Sequence, residues 1–76
     1  MKYNFGGTEI VATTATELVT KMRESAVFDE ARTDALWMRV VADRAKNQAG
    51  KTVRVDTVEE FIADMIAGGF LIEEGD

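Results

Sequence analysis

The chain contains neither cysteine nor histidine in its 76 residues, so nothing in it can act as a covalent or thiolate staple. Disulfides and thiolate-held metals are excluded. A domain of this length buries only about 60 % of the surface its unfolded chain exposes. The fold must therefore rest on one thin apolar core, with a stability of roughly 3–6 kcal/mol. Residues 1–76 are expected to form a single domain, and so small a core leaves a homodimer open. The 46 % hydrophobic content, set against 30 % charged residues, is enough to build that core and argues against disorder.

Turn and cap signals divide the chain. Lys2-Tyr3-Asn4-Phe5 and Thr8-Glu9-Ile10-Val11-Ala12 are β-prone runs joined by Gly6-Gly7, the signature of a tight hairpin. Within it Tyr3 and Phe5 share one face, as do Ile10 and Ala12. Thr14-Ala15-Thr16-Glu17 is a capping box, in which hydroxyl and carboxylate each satisfy a backbone amide at the helix start. The helix it opens is expected to reach about Ser25, with Leu18, Val19, Met22 and Ala26 on one apolar stripe. Val27 and Phe28 are expected to be buried in the connection that follows.

Asp29 or Thr33 can cap a longer second helix, from about residue 30 to 49. Its expected buried face is Leu36, Trp37, Val40, Val41 and Ala45. Gly50 follows at the position where helices favour a left-handed residue. Lys51-Thr52-Val53-Arg54-Val55 alternates and is β-branched, which predicts a strand with Val53 and Val55 inward. Asp56 with Glu59, or Thr57 with Glu60, caps a third helix that buries Val58, Phe61, Ile62, Met65 and Ile66. Gly68-Gly69 stops it, Phe70-Leu71-Ile72 is expected to pair with 51–55, and residues 73–76 are expected to fray. The sum is an α+β fold, a β-hairpin plus two further strands in one sheet with three helices packed on one face.

Enzymatic chemistry has little to work with. A nucleophile needs a base, and the usual one, histidine, is missing. Asp56, Glu59, Glu60 and Asp64 cluster, but helix capping and solvation account for them, and their spacing is not that of a calcium loop. The glycine pairs are isolated turn residues with no phosphate-binding pattern around them. No catalytic residue, cofactor or metal is expected. No run approaches the 18 apolar residues of a membrane span, and Met1–Gly7 lacks the apolar segment of a secretory leader. With the lack of cysteine, a cytoplasmic location is the expectation.

Charge is the most unusual feature. All nine Lys and Arg lie in residues 1–55 with seven acids, while residues 56–76 carry seven acids and no base. Glu59, Glu60, Asp64, Glu73 and Glu74 would form an acidic surface suited to a basic partner, because complementary potential speeds and orients docking. Solubility alone is the plainer account of the same acids. Trp37 and Met38 offer a second candidate, an exposed apolar patch, since tryptophan anchors many interfaces; a core role is its commoner one. Arg39, Arg44, Lys46, Lys51 and Arg54 offer a third, tracking nucleic-acid phosphates, although Asp43 lies within ion-pair reach of Arg39 and the chain as a whole is acidic.

Phe5-Gly6-Gly7-Thr8, Glu17-Leu18-Val19 with Met22, Trp37-Met38, Asp56-Thr57-Val58-Glu59-Glu60-Phe61 and Gly68-Gly69-Phe70-Leu71 give the chain a layout that resembles small proteins encoded by bacteriophages and other mobile elements. Some small acidic ones are anti-CRISPR inhibitors that block the DNA site of a host complex. The likeness to those is in size and charge. The resemblance implies a protein-binding inhibitor or adaptor whose partner is a host or phage protein complex with a basic surface. A nucleic-acid accessory domain and a self-assembling structural component are the other readings.

Overall fold

The computed structural model describes residues 1–25 and 33–75. Strands β1 (Lys2–Phe5) and β2 (Thr8–Val11) are followed by helices α1 (Ala15–Ser25), α2 (Asp34–Ala49) and α3 (Val58–Ala67), and by strand β3 (Leu71–Gly75). The class is α+β, with three strands rather than four. The expectations for Ala26, Val27, Phe28, Asp29 and Asp76 fall outside the described residues.

The hairpin forms as its glycines require. Gly6 and Gly7 both take positive φ, 58° and 90°, which only glycine adopts without strain. That turn sets Phe5 opposite Thr8 and Tyr3 opposite Ile10. The sheet order is β2-β1-β3, so β1 is central and both its neighbours are edges. β3 lies antiparallel to β1, with Phe5 opposite Leu71 and Tyr3 opposite Glu73, and a bulge falls between Lys2 and Tyr3.

The expected strand at 51–55 is absent, and the last strand pairs with β1 instead. A side chain takes the place of a ladder: the Arg54 N–H donates to Asp64 Oδ2 at 2.9 Å. Val53 is buried and Val55 packs on the core, so the alternation is that of an extended segment lying against the helices. Residues 73–75, expected to fray, belong to β3.

Each helix is closed by the cap its sequence carries. The Glu17 N–H donates to Thr14 Oγ1, and Glu17 Oε1 accepts from the Thr13 amide, one residue earlier than a strict box would have it. Thr33, one of the two expected caps, closes the start of α2 and accepts from the Leu36 N–H. Thr57, not Asp56, caps α3 and accepts from the Glu60 N–H. Gly50 ends α2 at φ 67° and donates to the Lys46 carbonyl.

The helices cover one face of the sheet. Tyr3, Ile10 and Leu71 point into a core shared with Leu18, Val19 and Met22 of α1, Trp37, Met38 and Ala45 of α2, and Phe61, Ile62 and Met65 of α3. Trp37 stands edge-on to Phe5 at 6.0 Å and to Phe61 at 5.9 Å. Three side chains assigned to the core from the sequence are outside it: Leu36 and Ile66 are exposed, and Val40 is half-buried and not part of the core cluster. The buried stripe of α2 is Trp37, Met38 and Ala45 with Val41 and Ala42 beside it, one residue round from the expected one.

Candidate functional site

The five acidic candidates separate into two groups. Arg54 folds back onto α3 and takes two of them. Its Nε and Nη2 donate to Asp64 Oδ2 and Oδ1 at 2.9 and 3.0 Å, and Nη1 donates to Glu60 Oε2 at 2.8 Å. This two-pronged geometry is the strong form of a guanidinium–carboxylate contact. Hydrogen bonds from the Arg54 side chain and backbone hold the Asp64 carboxyl below its usual range, and Asp64 in turn holds Arg54 above its own. Residues four to ten positions apart thus form an ion-paired cluster on the side of α3. Arg54, assigned from the sequence to a basic set, belongs here.

Glu59, Glu73 and Glu74 make no ion pair among the described residues and are exposed. The turn Gly68–Phe70 reverses the chain so that β3 runs back beside α3. Glu73 lies opposite Tyr3. Burial and the neighbouring Glu73 raise the Tyr3 phenol above its ordinary value. These acids therefore sit on an ordered edge strand instead of a loose tail.

The exposed apolar patch expected at Trp37 and Met38 does not exist. Their relative exposures are 4 % and 6 %, because both lie on the stripe of α2 that packs against Phe5 and Phe61. Large apolar side chains are exposed elsewhere. Val11 and Ile72, at 51 % and 56 %, project from the sheet face opposite the helices, which the sequence reading passed over because β3 had been assigned a different partner.

The remaining basic candidates are exposed: Arg39, Arg44, Lys46 and Lys51. None has an ion pair among the described residues, and the Arg39–Asp43 contact that the helical spacing allows is not made. Arg39, Asp43 and Lys46 line a cleft of about 380 Å³ between α2 and the extended segment at Thr52–Val55. A larger groove of about 530 Å³ opens where the β1–β2 turn meets the C-terminal half of α2, with Arg44 and Gln48 on its lining. Nothing in the sequence pattern marks it, since its walls come from β1, α2, α3 and the turn before β3.

A third charged contact is structural. Asp34 accepts from Thr20 Oγ1 at 2.6 Å and from Arg23 Nε at 2.8 Å, tying the start of α2 to α1. Burial pushes its carboxyl up, but these hydrogen bonds and the Arg23 charge outweigh burial and leave it below the ordinary value.

Among the described residues no three carboxylates converge on a metal-sized site, and no helix is long and apolar enough to cross a membrane. No protein-family model matches the chain, and no curated protein or solved structure matches it either.

Proposed function

We propose that the protein is a binding module rather than an enzyme, docking through Glu59, Glu73 and Glu74 on a basic, nucleic-acid-binding surface of a partner protein complex. In that role it is an inhibitor or adaptor of the kind phages and mobile elements encode. The observation that carries the reading is the ordering of Glu73 and Glu74 on edge strand β3, which packs beside α3, the helix whose first turn holds Glu59. Carboxylates held on a fixed backbone lose little freedom on docking. Spaced carboxylates also imitate a row of phosphates, and their field steers a basic partner. Glu60 and Asp64 are spent on Arg54 and are left out of the docking set.

The test is capture of partners from nuclease-treated host lysate by the tagged protein and by its Glu59→Lys, Glu73→Lys, Glu74→Lys triple variant, after circular dichroism has matched the two folds. The expected outcome is a stoichiometric protein that the wild type retains, that salt releases and that the variant loses. Equal capture by the variant would mean that the acids only shield an edge strand from pairing, a common use of charge there.

One observation favours a second reading. Arg39, Arg44, Lys46 and Lys51 have no ion-pair partner among the described residues, which leaves them available to phosphates. That reading requires nucleic-acid affinity that falls steeply with salt; no gel shift at low salt removes it.

A further inference from the structure

The groove at the hairpin end of the molecule is distinct from the acidic edge. Its floor includes Ala45 and Met65, both buried, and its walls include the partly buried rings of Phe5 and Phe70. At about 530 Å³ it falls inside the range of about 300–1,000 Å³ typical of ligand sites. Its only charged lining residue is Arg44. That guanidinium makes no hydrogen bond or ion pair among the described residues, and Gln48 stands one turn further along the same helix face.

An unpaired cation beside an apolar hollow is complementary to a ligand that ends in a carboxylate and carries an apolar group next to it. The guanidinium fork matches a carboxylate with two parallel donors, and Gln48 can add an amide donor. The hollow is a groove open along one side, so a chain can lie in it and leave it. That shape suits the end of a polypeptide better than a small molecule, which binding sites mostly enclose.

We infer that this groove captures the free C-terminus of a partner polypeptide whose last residues are apolar, with Arg44 holding the terminal carboxylate and the Phe5–Phe70 hollow taking the side chains. Phe5 stands opposite Leu71, while Glu73 lies two residues further along β3, opposite Tyr3, and does not line the groove. The groove is therefore independent of the acidic docking edge, and either can fail without the other.

Phe5 also contacts Trp37 edge-on, which gives the site an internal reporter, because Trp37 is the only indole in the chain. The experiment titrates the full-length ¹⁵N-labelled protein with a capped peptide, acetyl-Gly-Gly-Ser-Leu-Phe with a free carboxylate. Trp37 emission is followed in parallel. The same peptide as a C-terminal amide and decanoate serve as comparison ligands, and Arg44→Gln as the variant.

The expected result is saturable shifts at Gly6, Arg44 and Gln48 with a change in Trp37 emission. Affinity should fall at least fivefold for the amide and for Arg44→Gln, whose exposed position leaves the fold intact. Shifts outside the groove, equal affinity for acid and amide, or no effect of Arg44→Gln would overturn the inference. Saturable binding of decanoate with none of the peptide would also overturn it, and would assign the groove to small apolar acids.

Discussion

The burial of Trp37 decides how α2 sits on the sheet, and Phe61 is the residue through which to test it. Phe61 is fully buried, and its ring meets Trp37 at a centroid distance of 5.9 Å and an interplanar angle of 65°. An edge-to-face pair contributes about 0.5–1.5 kcal/mol beyond its area. Truncating a core phenylalanine to alanine costs about 3–5 kcal/mol, comparable to the whole stability of a chain this small, about 4 kcal/mol at the low end of the per-residue scale. Phe61→Ala is therefore expected to be largely unfolded. Phe61→Leu keeps most of the volume; it loses about 1 kcal/mol of packing and about 1 kcal/mol of ring contact. With a urea m-value of about 1 kcal/mol per molar, its unfolding midpoint should drop by about 2 M, read by Trp37 emission. Leu36→Ala is the control: at 49 % exposure its effect should stay within about 0.5 kcal/mol. A Leu36→Ala cost larger than that of Phe61→Leu would mean that α2 presents Leu36 and Val40 to the core and that this description of the helix is wrong. Ready quenching of wild-type Trp37 by acrylamide would refute it as directly.

Two further outcomes follow from the charged contacts. In Arg54→Ala the Asp64 carboxyl, now held low by the Arg54 side chain and amide, should titrate at higher pH in a ¹³C-detected carboxyl titration, and an unchanged titration would mean that the cluster does not form in solution. Asp34 has a folded pKa below the 3.8 of a free aspartate, so its stabilisation is fully present above that value and is lost as pH falls through the lower folded one. The urea midpoints of wild type and Asp34→Asn should differ at about pH 6 and converge as pH falls below about 4; a gap that stays constant to low pH would contradict the contacts of Asp34 with Thr20 and Arg23.

Local signals in this chain are reliable, and those that depend on distant partners are not. The Gly6-Gly7 turn and the cap at Thr14 involve residues within a few positions of each other and are legible in the sequence, as are Thr33 and Thr57, each as one of two candidate caps. The α2 face was not. The stripes Leu36-Trp37-Val40-Val41 and Trp37-Met38-Val41-Ala42 have the same helical spacing and differ by one residue in rotation. Hydropathy favours the first, because Leu36 and Val40 outweigh Met38 and Ala42. The structure takes the second, because Phe5 and Phe61 come from other elements to receive Trp37. The segment 51–55 fails in the same way. Alternating valines fit a strand and an extended chain laid on helices equally well, and only the Asp64 carboxylate, ten residues away, captures the Arg54 amide and settles the choice.

The charge reading changed for a related reason. Residues 56–76 carry seven acids and no base, which suggests one continuous acidic face. That count stops at a boundary in sequence, whereas Arg54 crosses it in space and ion-pairs with both Glu60 and Asp64. The carboxylates left exposed, Glu59, Glu73 and Glu74, come from the start of a helix and from an edge strand. Glu73 and Glu74 join the sheet because the Gly68-Gly69 turn carries the chain from α3 into β3. Gly69 takes φ 82° there, and the Phe70 N–H donates to the Met65 carbonyl at 2.9 Å, the bond that turns the helix end into the start of β3. The same turn places Phe70 on the wall of the groove that holds Arg44. One reversal of the chain thus builds both surfaces on which binding has been proposed, an acidic edge strand and an apolar groove with a single cation on its lining. A polypeptide partner with a basic surface and an apolar C-terminus could engage the two at once only if it spanned the three to four residues from Phe70 to Glu73 and Glu74, about 10–14 Å at the rise of a strand.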